Sequence, residues 1–572
     1  MLAVLRRQNW CLVVALWAVL GAGFAGLSPT QAFAQGTKLE KKLEEKKKRE
    51  KAAPLDLPLA VISVASVERL MSGADQAFES AGRPEISETL NGLLANVNDL
   101  KGLTREAPMG LMVFLNGLLP EPVGFVPVDN IGDLLKTVEL GPVKTKKTGE
   151  NTYEIEGPRQ SVYVVMAGKY AFVSNTKTAL ERELPDPEKL TARLSASYDI
   201  AASINLKTLS EDTKELFLTF LRAQIETDLQ QRDNEPKGAY RIRKAAGMSN
   251  LEQIEMILGE GEELTIGWSV SGKDKHAGLE VVMTATADTE FATLCNSLNG
   301  ARSQFSNLLQ TKTPFTFSLA MTLDKRAKAF WSEALAGAEE ELKVGLSKAN
   351  PTEPDAVTNP IGELFQVLKN TVAEAKMDAA VQFVGDPPGP FSLIGGITVA
   401  DGSALNTALE QILPRLKSAP GILEVQLDAA KHKGVAIHRI EAKDSRPQDV
   451  RLYGGKPSIY IGAAGKALWF AVGADNALPA LKSAIDEVEK PVADTVQVLP
   501  VHLVVNVANW MDLIENPDGF QTRARNAFAK GGDAVSMEIR PIENGMRFRL
   551  QFDEAFLRLF GGEIANRVDR GR

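Results

Sequence analysis

The chain has 572 residues, 44% of them hydrophobic and 24% charged, and a formal net charge of −8. That length exceeds one ordinary domain, and the composition is globular enough to form a large core without disulfides or metal. The acidic balance argues against general nucleic-acid binding, and two cysteines, Cys11 and Cys295, are too few for a disulfide framework.

The N-terminus reads as a secretory signal over residues 1–34. Arg6 and Arg7 form a basic start, Trp10 to Leu27 is an apolar run, and Ala32-Phe33-Ala34 supplies an A-x-A cleavage pattern before Gln35. The run is near the lower limit for a membrane span, so a retained anchor is the alternative. Cleavage would remove Cys11 and two positive charges, leaving a more acidic mature chain with one cysteine. The expected location is periplasmic or extracellular, with folding independent of disulfides.

Residues 35–57 read as a charged spacer. Lys38 to Lys51 holds eight basic and four acidic residues with almost nothing apolar. Such a run solvates rather than packs. Its functional alternative is peripheral contact with an anionic membrane or cell-wall surface.

From residue 58 a unit of strand, helix, helix, hairpin and helix is predicted four times. The second unit shows it best. Ile200, Ala202, Ile204 and Leu206 alternate with small or polar residues, which is a strand with one buried face. Thr208 and Glu211 have capping-box spacing, and Leu216, Phe217, Phe220, Leu221 and Ile225 form a helical stripe. A second helical pattern covers about 240–258. Two alternating runs around a Gly-Lys-Asp turn then form a hairpin, and a helix presenting Phe291, Leu294, Cys295 and Leu298 follows. Units one, three and four begin at LAVISVAS, FTFSLAMTL and VHLVVNVANW, and the last hairpin turns at Asn544-Gly545.

Units one and three each carry an additional strand block. VYVVMAGKYAFVSN begins at Val162, and its counterpart IYIGAAGKALWFAVG begins at Ile459. Gly168-Lys169 and Gly465-Lys466 suit hairpin turns, because a phosphate loop would need more glycines and a following Ser or Thr. The chain therefore reads as a first half over 58–305 and a duplicate half over 306–572. The expected fold class is α+β: tandem-duplicated antiparallel sheets with helices packed on one face. The other face collects Ser203, Asn205, Thr265, Ser269, Thr284, Thr286, Thr316, Ser318 and Thr322. Such a face meets water or lines a shallow concavity. No long linker separates the halves, so they are expected to touch.

Candidate chemistry is sparse. Asp129, Asp288, Asp401 and Asp553 recur at strand-to-helix junctions, where N-capping explains them better than catalysis. His432 is expected in a hairpin turn and His438 on the following strand, both as ordinary surface or half-buried histidines with no third metal ligand visible. His276 reads as a loop residue and His502 as surface. Ser269 falls in a strand and Cys295 on an apolar stripe. Trp268, Trp331, Trp469 and Trp510 read as core or as contacts between halves. Glu538 and Arg540, facing Arg547, Arg549 and Gln551 across the last turn, read as a salt-bridged surface. Catalytic, cofactor and metal signatures are absent from the sequence.

VGFVPVDN, AGKYAFVSN, LPDPEKL and HKGVAIHRIE resemble exported bacterial proteins of planctomycete type. The resemblance spans most of the mature chain and implies export, with no activity and no site residue attached. The sequence ranks a non-enzymatic envelope scaffold or binding module first. A carrier of a lipid or other apolar ligand comes second, and a hydrolase with an unrecognised site near His438 third. The expected partner is an envelope protein or an apolar ligand.

Overall fold

A computed structural model describes residues 57–571, apart from 97, 118, 159, 311–312, 350–353, 387–388, 419–420, 491–497 and 515–517. The expected signal, Cys11 and the spacer up to residue 56 lie outside the described residues. The fold is α+β, with 20 strands in one antiparallel sheet.

The first ten strands are β1 (Ala60–Val64), β2 (Met109–Asn116), β3 (Leu119–Pro127), β4 (Lys144–Lys147), β5 (Thr152–Glu156), β6 (Ser161–Ala167), β7 (Tyr170–Ser174), β8 (Ile200–Asn205), β9 (Gly261–Ser271) and β10 (His276–Ala285). The next ten are β11 (Phe315–Thr322), β12 (Lys376–Val384), β13 (Ser392–Thr398), β14 (Ile422–His432), β15 (Val435–Ala442), β16 (Ser458–Ala464), β17 (Ala467–Gly473), β18 (Val501–Asn506), β19 (Ala534–Ile542) and β20 (Gly545–Asp553).

Hydrogen-bonded ladders place the first set in the order β4-β5-β6-β7-β3-β2-β1-β8-β9-β10. The second set follows the same rule, β14-β15-β16-β17-β13-β12-β11-β18-β19-β20. The two sets meet head to head where β10 pairs with β20. Glu280 opposite Arg549 is the middle pair of that nine-pair ladder, so an approximate two-fold axis passes through it.

The hairpin turns follow their sequence signals. Gly168 and Gly465 adopt φ of +59° and +57°, and Asn544 takes φ +48° before Gly545. The two outer edges differ. β4 is the short run Lys-Thr-Lys-Lys, whose lysines oppose pairing with another chain. β14 is longer, with register breaks at Ile422/Glu424 and Gln426/Ala430, and such bulges blunt an edge as well.

Helix placement refines the one-face expectation. In the middle of the sheet Ile62, Ile200 and Ile266 stay exposed on one face, while the small polar residues Ser203, Thr265, Thr316 and Ser318 on the other face are buried. In both wings helices cover both faces, because β7 and β17 are apolar at both parities. In the second wing, Trp469 and Tyr460 pack with Leu481 and Ile485 of the Ala477–Val488 helix. The alternate residue Leu468 packs with Leu405 of the Gly402–Ile412 helix on the opposite side. The first wing matches, with Phe172 toward Leu194 and Val173 toward Ile131 and Leu134. Phe305, in the connection between halves, is fully buried against Trp469, with ring centroids 5.4 Å apart.

The capping expectation is corrected in part. Asp401 does cap its helix, accepting the Ala404 N–H at 2.9 Å. At two other junctions the cap lies one residue later: Asn130 accepts from Asp133 and Thr289 from Ala292. Asp288 instead takes φ +64°, which turns the chain and displaces the helix start. Ser210, not Thr208, caps the Glu211–Asp228 helix. Cys295 is a buried free thiol whose pKa burial pushes up to about 11.

Candidate functional site

Register explains how scattered polar residues reach one surface. Ser203 faces Thr265, Asn205 faces Glu263, and Glu263 faces Thr284 across successive ladders. Beyond the axis Ser318 faces His502, His502 faces Glu538, and Glu538 faces Arg549. A period of two sends all of these to the same side of the sheet, between the helices Pro187–Ser197 and Ala477–Val488.

A charged seam occupies the centre. Arg549 Nε donates to Glu280 at 2.6 Å and its Nη1 lies 3.6 Å from Glu538. Arg540 Nε donates to Glu538 at 2.5 Å, and Arg547 lies 3.6 Å from Glu280. Tyr198 adds a 3.0 Å bond from its hydroxyl to Glu280. Burial, and then the Glu280 charge, push the Tyr198 phenol up to about 12, so it stays a donor. Burial alone would raise Glu538, but Arg540 and Arg549 hold its carboxyl below the usual range. The expected Glu538–Arg540–Arg547–Arg549 cluster thus exists, with Glu280 and Tyr198 as members that sequence reading missed. The signal for Glu280 was present, as it is the lone carboxylate in a mostly apolar strand.

Two cavities flank the seam at equivalent places. Asn205 and Asn506 each donate a backbone N–H to the residue at the start of the neighbouring strand, Leu59 and Pro314. This aligns Val61 with Thr316 and Ser63 with Ser318. Asn205 faces Glu263 where Asn506 faces Ala534, so Glu262 corresponds to Asp533 and Lys207 to Ala508. Thr284 correspondingly matches Asp553.

The first cavity is about 360 Å³ and includes Arg193, Ser203, Lys207, Glu262, Glu263 and Thr284 in its lining. Its acids are neutralised internally, Glu263 by Arg193 and Glu262 by Lys207. The second is about 490 Å³ and includes Thr313, Thr316, His502, Asn506, Asp533 and Asp553. His502 is therefore half-buried in a cavity wall, not on plain surface, and Asp553 ends a strand inside the same cavity. His276 opens β10 opposite Asp553, so it is a strand residue rather than a loop residue.

His432 ends β14, and its Nε2 lies 2.8 Å from Asp486. His438 departs from expectation because it is completely buried. Its Nδ1 accepts the Asp428 N–H at 3.1 Å, and its Nε2 lies 3.2 Å from Asn406 Oδ1. Accepting at Nδ1 places the ring proton on Nε2, which donates to Asn406. Glu410, Asp428 and His438 lie close enough to hold a cation, with Asp428 Oδ1 3.9 Å from Nδ1. Both ring nitrogens already have protein partners, so a metal would have to displace the Asp428 N–H. The geometry suits a strut for the β14 bulge, where Asp428 takes φ +47°.

Burial lowers the pKa of His438 against the opposing pull of Asp428 and Glu410, and burial likewise lowers His502. The unfolded chain then binds more protons than the folded one just below the ordinary value of about 6.5. Stability should therefore be complete above that pH and decline as pH falls toward the depressed native values. Urea midpoints at pH 7.5, 6.5 and 5.5 test this. A decline above pH 5 that His438→Gln and His502→Gln flatten is expected, and an unchanged slope in both variants would refute the assignment.

No family model, no curated protein and no solved structure matches the chain.

Proposed function

We propose that this chain is an exported, envelope-associated, non-enzymatic scaffold or binding module of planctomycete type, built by duplication of one α+β half. Two sets of ten strands with the same neighbour order support the duplication. Export rests on the N-terminal basic, apolar and A-x-A pattern. Among the described residues no helix is long and apolar enough to cross a membrane.

The observation that carries the binding reading is the polar central face. It presents a charged seam and two cavities on one rigid sheet. The opposite face adds Ile62, Ile200 and Ile266 on the adjacent strands β1, β8 and β9, each at least 40% exposed. Adjacent exposed isoleucines favour a protein partner. Both cavities mix apolar residues with carboxylates, and carboxylates in the lining suit a lipid poorly, so the carrier reading stays second. The hydrolase reading is weakened by the engagement of both His438 nitrogens.

Native mass spectrometry of the protein purified from its own envelope fraction tests the proposal. A co-purifying protein partner, lost in Ile62→Asp and Ile266→Asp, is expected. A bound lipid would replace this reading with the carrier. A bare chain with hydrolytic activity abolished by His438→Ala would replace it with the enzyme.

A further inference from the structure

We propose that the second cavity binds a small organic cation, an amine or guanidinium with several N–H donors. Its described lining carries acceptors and no lysine or arginine: the carboxylates of Asp533 and Asp553 and the Asn506 Oδ1, beside Thr313 and Thr316 hydroxyls that bond to each other. Among the described residues no hydrogen bond or ion pair engages the Asp553 carboxylate, and none engages the His502 ring. Lys275, the residue before His276, pairs with Glu554 at 3.5 Å. His276 stands opposite Asp553 without an ion pair among the described residues. Ser318, fully buried opposite His502, has a hydroxyl with no partner.

The equivalent cavity shows what is missing. There Glu262 holds Lys207 and Glu263 holds Arg193. In the second cavity the lysine position is Ala508, whose backbone N–H at 2.6 Å from Asp533 is a weaker substitute for a cation. The position of Thr284 has become Asp553, which adds a carboxylate where the first half has a neutral hydroxyl. Ala534 stands where the first cavity has Glu263, so each lining holds two acids, but the first also holds Arg193 and Lys207 and the second holds neither a lysine nor an arginine. Half-buried carboxylates without a cation are costly, and charge-assisted N–H bonds from a ligand relieve that cost. A volume of about 490 Å³ admits a molecule of several heavy atoms. The two carboxylates with the Asn506 Oδ1 still supply fewer side-chain oxygens than calcium usually takes.

Isothermal titration of the full chain with agmatine tests this, with glycerol and calcium chloride as controls. Asp553→Thr and Ala508→Lys each install the residue that the first half carries at the matching position, so both should fold, which circular dichroism checks. Saturable agmatine binding that weakens at least about tenfold in each variant is expected. No saturable binding in the wild type, equal affinity in folded variants, or saturation by calcium but not agmatine would overturn the proposal. Each of those results would leave the scaffold reading standing, because that reading is tested separately by the loss of a protein partner in Ile62→Asp and Ile266→Asp.

Discussion

Arg549→Glu is expected to destabilise the whole chain by about 3 kcal/mol. Arg549 is the cation that joins the two halves at their axis, bonded to Glu280 at 2.6 Å and close to Glu538 at 3.6 Å. Those carboxylates are only 14% and 11% exposed, so neither can turn to bulk water. The substitution would set three acids side by side in adjacent strands, with Tyr198 able to satisfy only one. The estimate lies at the lower end of the range for breaking a buried pair, because Arg549 itself is about one-third exposed. Combining Arg549→Glu with Glu280→Arg should recover at least about half of the loss, since the opposite charges face each other again. Full recovery is not expected, because Arg547 also leans on Glu280 at 3.6 Å. Urea unfolding of the single and double variants measures this. Equal stability of the wild type and Arg549→Glu would show that the seam contributes nothing.

Phe305→Ala should cost about 3–5 kcal/mol. The ring is fully buried, meets Trp469 edge-on, and fills the space that Gly396 leaves open. A Cβ built on Gly396 would come within 2.3 Å of the Phe305 ring, so strand and ring are fitted to each other. Neighbours around Phe305 are themselves packed, which limits collapse into the void. Phe305 also lies in the connection between halves, so its loss would free that segment from the second wing. Thermal melts should show the drop, with increased hydrogen exchange over residues 301–310. A midpoint within about 0.5 kcal/mol of wild type would mean the site collapses without a cavity.

Much of the architecture was legible because it depends on local periodicity. A period of two marked β8, β9, β10 and β18 to β20, and a period near 3.6 marked the helices between them. Gly168-Lys169, Gly465-Lys466 and Asn544-Gly545 declared their turns because few residues tolerate positive φ. The polar parity of Ser203, Thr265, Thr316 and Ser318 was legible for the same reason, but their burial was not, since all four are buried in the fold. The helix starts at Asn130 and Thr289 were missed by one residue. Asp, Asn and Thr all cap well, and only backbone dihedrals decide which of two neighbours does so.

The candidate site was less legible. Glu538, Arg540, Arg547 and Arg549 could be grouped because one tight turn brings them together. Glu280 and Tyr198 join them from more than 250 residues away in sequence, across a ladder that no local signal announces. His438 was read as surface or half-buried because its own strand shows only its parity. Its burial comes from the Gly402–Ile412 helix, which brings Asn406 over the ring.

By itself the sequence determined the α+β class, most of the strands and helices in their order, the turns and the polar parity of the central face, but not β4 or the Pro447–Tyr453 helix. These follow from side-chain spacing and backbone preference within a few residues. Only the tertiary structure decided that β3 adjoins β7, that β10 adjoins β20, and that the second cavity has lost the cations of the first. Ladder bonds join backbone groups that nearly every residue possesses, so a strand's own sequence seldom names a distant neighbour. A charge acquires its environment only when those neighbours remove it from water.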